Sequence, residues 1–120
     1  MDDKVGVEIT TQGNAGVVTF QSKSITDADG IASVSKQIKK FIDENQPKKL
    51  IFDFGKVKFF SSQVLGLLLD IRSKLEADNG EVVISSINPQ LHRVFRITNL
   101  DKVFSFFKDK ETAIKTIGTD

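Results

Sequence analysis

Cysteine, tryptophan and tyrosine are all absent from the 120 residues, which include one histidine, one methionine and two prolines. Without cysteine the chain forms no disulfide, offers no thiolate nucleophile and holds no cysteine-ligated metal. The lone histidine is His92, beside Arg93, and no carboxylates cluster at metal-ligand spacing, so no metal site is expected. His92 reads as a surface residue of a helix. The phosphate-cradling pattern Gly-x-x-x-x-Gly-Lys-Ser/Thr is missing. So is the nucleophile elbow Gly-x-Ser-x-Gly. No catalytic residue, cofactor or metal is therefore expected, and the chain does not read as an enzyme.

Charge of one sign is also lacking. Seventeen basic residues face sixteen acidic ones, for a formal charge of +1. Such a balance gives no general attraction to nucleic acid or to an anionic membrane, and neither is expected as a direct partner. The longest apolar block, Val64 to Leu69, is closed by Asp70, far short of the roughly 20 residues that cross a bilayer. The opening Met1-Asp2-Asp3-Lys4 lacks the apolar core of a secretion signal. A cytoplasmic setting is the expectation.

What is present is ordinary for one globular domain over residues 1–120: 39% apolar and 28% charged residues, enough for a single core. The ten phenylalanines carry no polar handle, so they read as packing rather than recognition.

Val5 to Thr10 alternates as a half-buried strand does, Asn14-Ala15-Gly16 signals a turn, and Val17 to Phe20 is a second β-rich run. Together they predict a hairpin at a sheet edge. Asp27 is placed to cap a helix running to about Glu44, with Ile31, Val34, Ile38, Phe41 and Ile42 on one face. After Pro47, Leu50 to Phe54 is short and almost wholly apolar, as in a central strand covered on both sides. Gly55 turns the chain into Val57 to Phe60, and Ser61-Ser62-Gln63 opens a second helix ended by Asn79-Gly80. A strand at Glu81 to Ser85 follows, then a Pro89-started helix with Leu91, Val94 and Phe95 inward. A last strand is expected at Val103 to Phe106, and a terminal helix from Lys110 to Ile117. Strands separated by helices imply parallel pairing through crossovers. The expected fold is α/β, a mixed sheet of about five strands with about four helices packed on it.

One local feature carries chemistry. Paired serines stand at the head of the second helix, where backbone amides lack intrahelical acceptors and the helix dipole is positive. A serine oxygen there can cap the helix, worth about 1 kcal/mol. A phosphate on that oxygen would also be accommodated. Most serines at helix starts only cap, and local sequence leaves both readings open.

The stretch from Leu50 to Leu69, LIFDFGKVKFFSSQVLGLLL, resembles the anti-sigma factor antagonist family, whose domain is of the STAS type. The family pattern is a hydrophobic strand with Asp or Asn, a short turn, a Phe-containing segment, then Asp-Ser-Ser/Thr-Gly-Leu-Gly. Residues 87 to 100, INPQLHRVFRITNL, are similar to the family's Pro-started helix and its Asn-Leu ending, and the element order agrees over most of the chain. In ungapped register the phosphorylatable serine falls on Ser62, the preceding acid on Ser61, the second hydroxyl residue on Gln63 and the first glycine on Val64; Leu65 and Gly66 match. Ser61 removes a charge, and Val64 adds bulk where a partner would approach. The family's aspartate ahead of the first helix corresponds to Asp27, which reads equally well as that helix's N-cap.

The resemblance implies a partner switch. The surface built from Asp27, Lys58, Ser61, Ser62, Gln63 and Val64 would dock on an anti-sigma factor serine kinase and release a sigma factor. Phosphate on Ser62 would oppose docking, and a PP2C-type phosphatase would reset it. Lys56 and Lys58 precede the serines and would assist docking or remain solvated. The alternatives are a ligand- or lipid-sensing STAS module, or a scaffold domain that is not phosphorylated.

Overall fold

The computed structural model describes residues 6–117, so the expected strand start at Val5 lies outside the described residues. Val7–Gln12 (β1) and Ala15–Phe20 (β2) pair antiparallel, from Val7 opposite Phe20 to Gln12 opposite Ala15. The hairpin turns over Gly13 and Asn14, one residue earlier than the Asn14-Ala15-Gly16 signal suggests. Gly13, at φ +62, supplies the left-handed backbone that a two-residue connection requires.

Ser24–Ile25 (β3) leads into Ala28–Asn45 (α1), which buries Ile31, Val34, Ile38 and Ile42 along one stripe. Lys49–Asp53 (β4) is buried at every position. Leu50 and Phe52 join the cluster formed with α1, whereas Ile51 packs on the opposite face with Val17, Val83 and Ala113. That two-sided burial is why β4 reads as a continuous apolar run. Phe59–Phe60 (β5), Gln63–Glu76 (α2), Glu81–Ser85 (β6) and Pro89–Ile97 (α3) follow. Leu100–Lys102 forms a single 3-10 turn ahead of Ser105–Phe107 (β7) and Lys110–Ile117 (α4).

The main sheet has the order β1-β2-β4-β6-β7, antiparallel at β1 and parallel elsewhere. Helices α1, α2 and α3 contribute apolar side chains to the larger core on one face, and α4 supplies Ala113 to the smaller core on the other. The expected mixed sheet of five strands with four helices is therefore observed. Two details differ. The last strand starts at Ser105 rather than Val103, because the 3-10 turn hydrogen-bonds both Val103 and Phe104 back to Leu100. A separate two-stranded parallel sheet, β3 with β5, has no counterpart in the sequence pattern.

At the start of α4, the hydroxyl and amide of Thr112 donate to Asp109 and hold its carboxyl below the ordinary aspartate range. This stabilisation is present above the ordinary aspartate pKa and is lost as pH falls through the lowered value.

Candidate functional site

The chain between β4 and α2 is fixed from several sides. Asp53, buried at the end of β4, accepts from the Gly55 amide at 2.7 Å, and Val57 N–H donates to the Phe54 carbonyl at 3.0 Å. These bonds bend the chain back on itself. Asn88 then secures the bend from another element, its side-chain amide donating to the Val57 carbonyl at 3.2 Å while its Oδ1 caps α3 through the Leu91 amide at 2.9 Å.

From Lys58 onward the segment lies along β3. The amides of Lys58 and Phe59 both donate to the Lys23 carbonyl, at 2.7 and 3.2 Å, and the Ser61 amide donates to the Ile25 carbonyl at 3.0 Å. In this two-stranded sheet Ile25 opposes Phe60 and Ser24 opposes Phe59. Ile25 and Phe60 are buried, so the alternation of a strand turns Phe59 outward, where it is 59% exposed. This pairing also sets the Asp27 loop, two residues beyond Ile25, beside the head of α2, one residue beyond Ser61.

Asp27 acts as the N-cap of α1: its Oδ2 accepts from the Gly30 amide at 2.9 Å, and its carbonyl accepts from Ile31 at 2.9 Å. Asp27→Ala is therefore expected to destabilise the fold by about 1 kcal/mol in urea unfolding, and Asp27→Asn by much less. Equal losses in the two variants would contradict the capping role.

Ser62 holds the N-cap position of α2 but does not cap it. Its backbone is helical, at φ −60 and ψ −18, and its side chain makes no cap hydrogen bond. The first turn closes instead in 3-10 fashion, with Val64 N–H on the Ser61 carbonyl and Leu65 N–H on the Ser62 carbonyl, both at 3.0 Å. Among the described residues this leaves the Ser62 and Gln63 amides without an acceptor, two rather than the four of an uncapped end. No acidic residue stands in the first turn, and Lys56 and Lys58 are exposed just upstream. The helix dipole and these two lysines favour negative charge at the head of α2.

The two serines differ in access. Ser62 and Gln63 are exposed, whereas Ser61 Oγ is buried without a hydrogen-bond partner. Val64 corrects the sequence reading, because it is fully buried in the main core and its added bulk does not stand in the path of a partner. Gly66, one turn beyond Ser62, is exposed, and a Cβ built there would meet nothing within 4 Å. A glycine inside a helix costs about 1 kcal/mol relative to alanine, and no contact within this fold requires it. The sequence signal for Val64's orientation was the spacing Val64, Leu68, Ile71, Leu75, all four of which are buried. Asn88 stands with Pro89 at a sequence signal for a helix start, but no comparable signal marks its bond to Val57 or the outward turn of Phe59.

His92 is half-buried, its ring 4.3 Å from that of Phe106. Among the described residues no group of three or more His, Cys, Asp or Glu is arranged to hold a metal ion. No helix there is long and apolar enough to cross a membrane. Clefts of about 340 and 220 Å³ share Gln46 and Pro47, at the opposite end of β4 from this site, and include none of its residues.

A mixed sheet whose central strand, β4, leads through a pinned turn to an exposed serine at a helix head defines a small α/β domain. The family model of the STAS domain matches residues 7–113, and the chain belongs to the STAS domain family. It is similar to the "Anti-sigma F factor antagonist" of Paenibacillus polymyxa, with 20% identity over 110 residues, covering 92% of this chain and 94% of that one. Two solved structures share the fold. "Anti-sigma factor antagonist SpoIIAA in its unphosphorylated form" superposes with a TM-score of 0.81 at 18% identity, covering 96% of this chain and 99% of that one. The Bacillus cell fate determinant SpoIIAA in the phosphorylated form gives 0.74 at 20% identity, covering 93% and 99%.

Proposed function

We propose that this protein is an anti-sigma factor antagonist that docks on an anti-sigma factor serine kinase and is released when Ser62 is phosphorylated. The observation that carries the reading is the exposed Ser62 hydroxyl at the head of α2, free of any cap bond and next to two unpaired amides. Family membership and the names of the similar proteins support the partner class.

In the unmodified state the docking surface comprises the Asp27 loop, the 55–61 turn with Lys58, and the exposed Ser62 and Gln63. Docking on the kinase frees a sigma factor. The kinase then transfers the γ-phosphoryl group of ATP to Ser62 Oγ; the P–O bond to ADP breaks, ADP leaves, and the hydroxyl proton passes to a base on the kinase. The product carries about −1.5 to −2 of added charge. A PP2C-type phosphatase returns the serine by hydrolysing the ester with water. The domain itself supplies a surface and an acceptor, with no catalytic group of its own.

The test is incubation of the purified protein with the serine kinases of its source organism and ATP, followed by site mapping. One phosphate on Ser62, and none on Ser62→Ala, is the expected result. Modification confined to other residues would contradict the assignment.

A further inference from the structure

Among the described residues three large apolar side chains are exposed: Phe59, Leu69 and Ile97. Two of them lie close to Ser62 in the chain, Phe59 in β5 before α2 and Leu69 midway along it. Ser62, Gly66 and Leu69 fall at i, i+4 and i+7, on one face of the helix, and Phe59 stands just before it. Between the two apolar side chains lies a residue without any. Gly66 differs from Gly16, where an added Cβ would sit 2.6 Å from the Phe41 ring; at Gly66 the space is open. Nothing within the fold fills or requires the bare position. Residue 66 is the helix neighbour of Ser62, about 5–6 Å away, so a kinase surface centred on Ser62 Oγ reaches it. A missing Cβ lets the backbone of another molecule come close.

We infer that Gly66 is the point of closest approach between this domain and the serine kinase, with a kinase backbone segment seated on it and Phe59 and Leu69 gripping either side. The inference rests on the kinase-docking reading above and adds the contact that sets its fit. Exposed Lys56 and Lys58 at the Phe59 end call for carboxylates on the facing kinase surface.

The experiment is calorimetric titration of the unmodified protein, Gly66→Ala and Gly66→Leu against the purified serine kinase with ADP bound, alongside thermal unfolding of each variant. Gly66→Ala is expected to raise the unfolding midpoint by about 3 to 6 °C while weakening binding at least about tenfold, and Gly66→Leu to weaken it further. These opposite signs separate a contact from a folding defect. If Gly66→Ala binds as tightly as the unmodified protein while phosphorylation of Ser62 still abolishes binding, this inference is overturned and the switch stands. If the unmodified protein binds no serine kinase of its source organism, both fall together.

Discussion

Phe95→Ala is expected to lower the unfolding free energy by about 3 to 5 kcal/mol, the largest effect of any single truncation considered. Phe95 is fully buried and meets three other rings: Phe60 at 6.0 Å and 90°, Phe104 at 6.1 Å and 87°, and Phe106 at 5.3 Å and 80°. From Phe60 the series continues through Phe54 at 5.9 Å and Phe20 at 5.1 Å to Phe52 at 6.0 Å. Edge-to-face pairs at such distances each add about 0.5 to 1.5 kcal/mol beyond burial. The ring series ties α3 to β5, the two residues immediately ahead of Ser61 and Ser62. Loss of Phe95 therefore loosens the platform of the site as well as the core. Phe59→Ala, one residue from Phe60 but solvent-facing, is expected to change stability by no more than about 0.5 kcal/mol. Urea unfolding of the two variants checks both values, and a loss below about 1 kcal/mol for Phe95→Ala would contradict the packing described.

The opposite orientations of Phe59 and Phe60 have no signature in the sequence. Elements with a sustained period were legible: α1 through Ile31, Val34, Ile38 and Ile42, and β4 through its unbroken apolar run. Strands β3 and β5 have two residues each, too few to display any period, and exist only because the Lys23 and Ile25 carbonyls meet the Lys58, Phe59 and Ser61 amides. Which of the two phenylalanines faces solvent is decided by that tertiary pairing. The position of Ser62 was legible, but its failure to cap was not. Capping needs an extended backbone at the N-cap residue, as at Asp27 with φ −79 and ψ 115, and Ser62 is already helical. The family motif places Val64 at the surface, whereas the helical period places it with Leu68 and Ile71 in the core, where it lies.

Phosphate on Ser62 is expected to leave the fold intact and to weaken kinase binding by about 30- to 150-fold, equivalent to about 2 to 3 kcal/mol. The fold tolerates it because the Ser62 and Gln63 amides and the positive end of α2 meet the added charge, a term of about 0.3 to 1 kcal/mol in favour of the modified domain. In the proposed interface the added dianion brings volume and charge and loses its hydration on docking, which opposes rebinding. Stability and affinity are thus expected to separate. The direct measurement is titration of the kinase with unmodified protein and with protein phosphorylated at Ser62, each checked by circular dichroism and thermal unfolding. A 30- to 150-fold loss of affinity with unchanged spectra and no fall in the unfolding midpoint is the predicted result. Equal affinity of the two forms would contradict the switch.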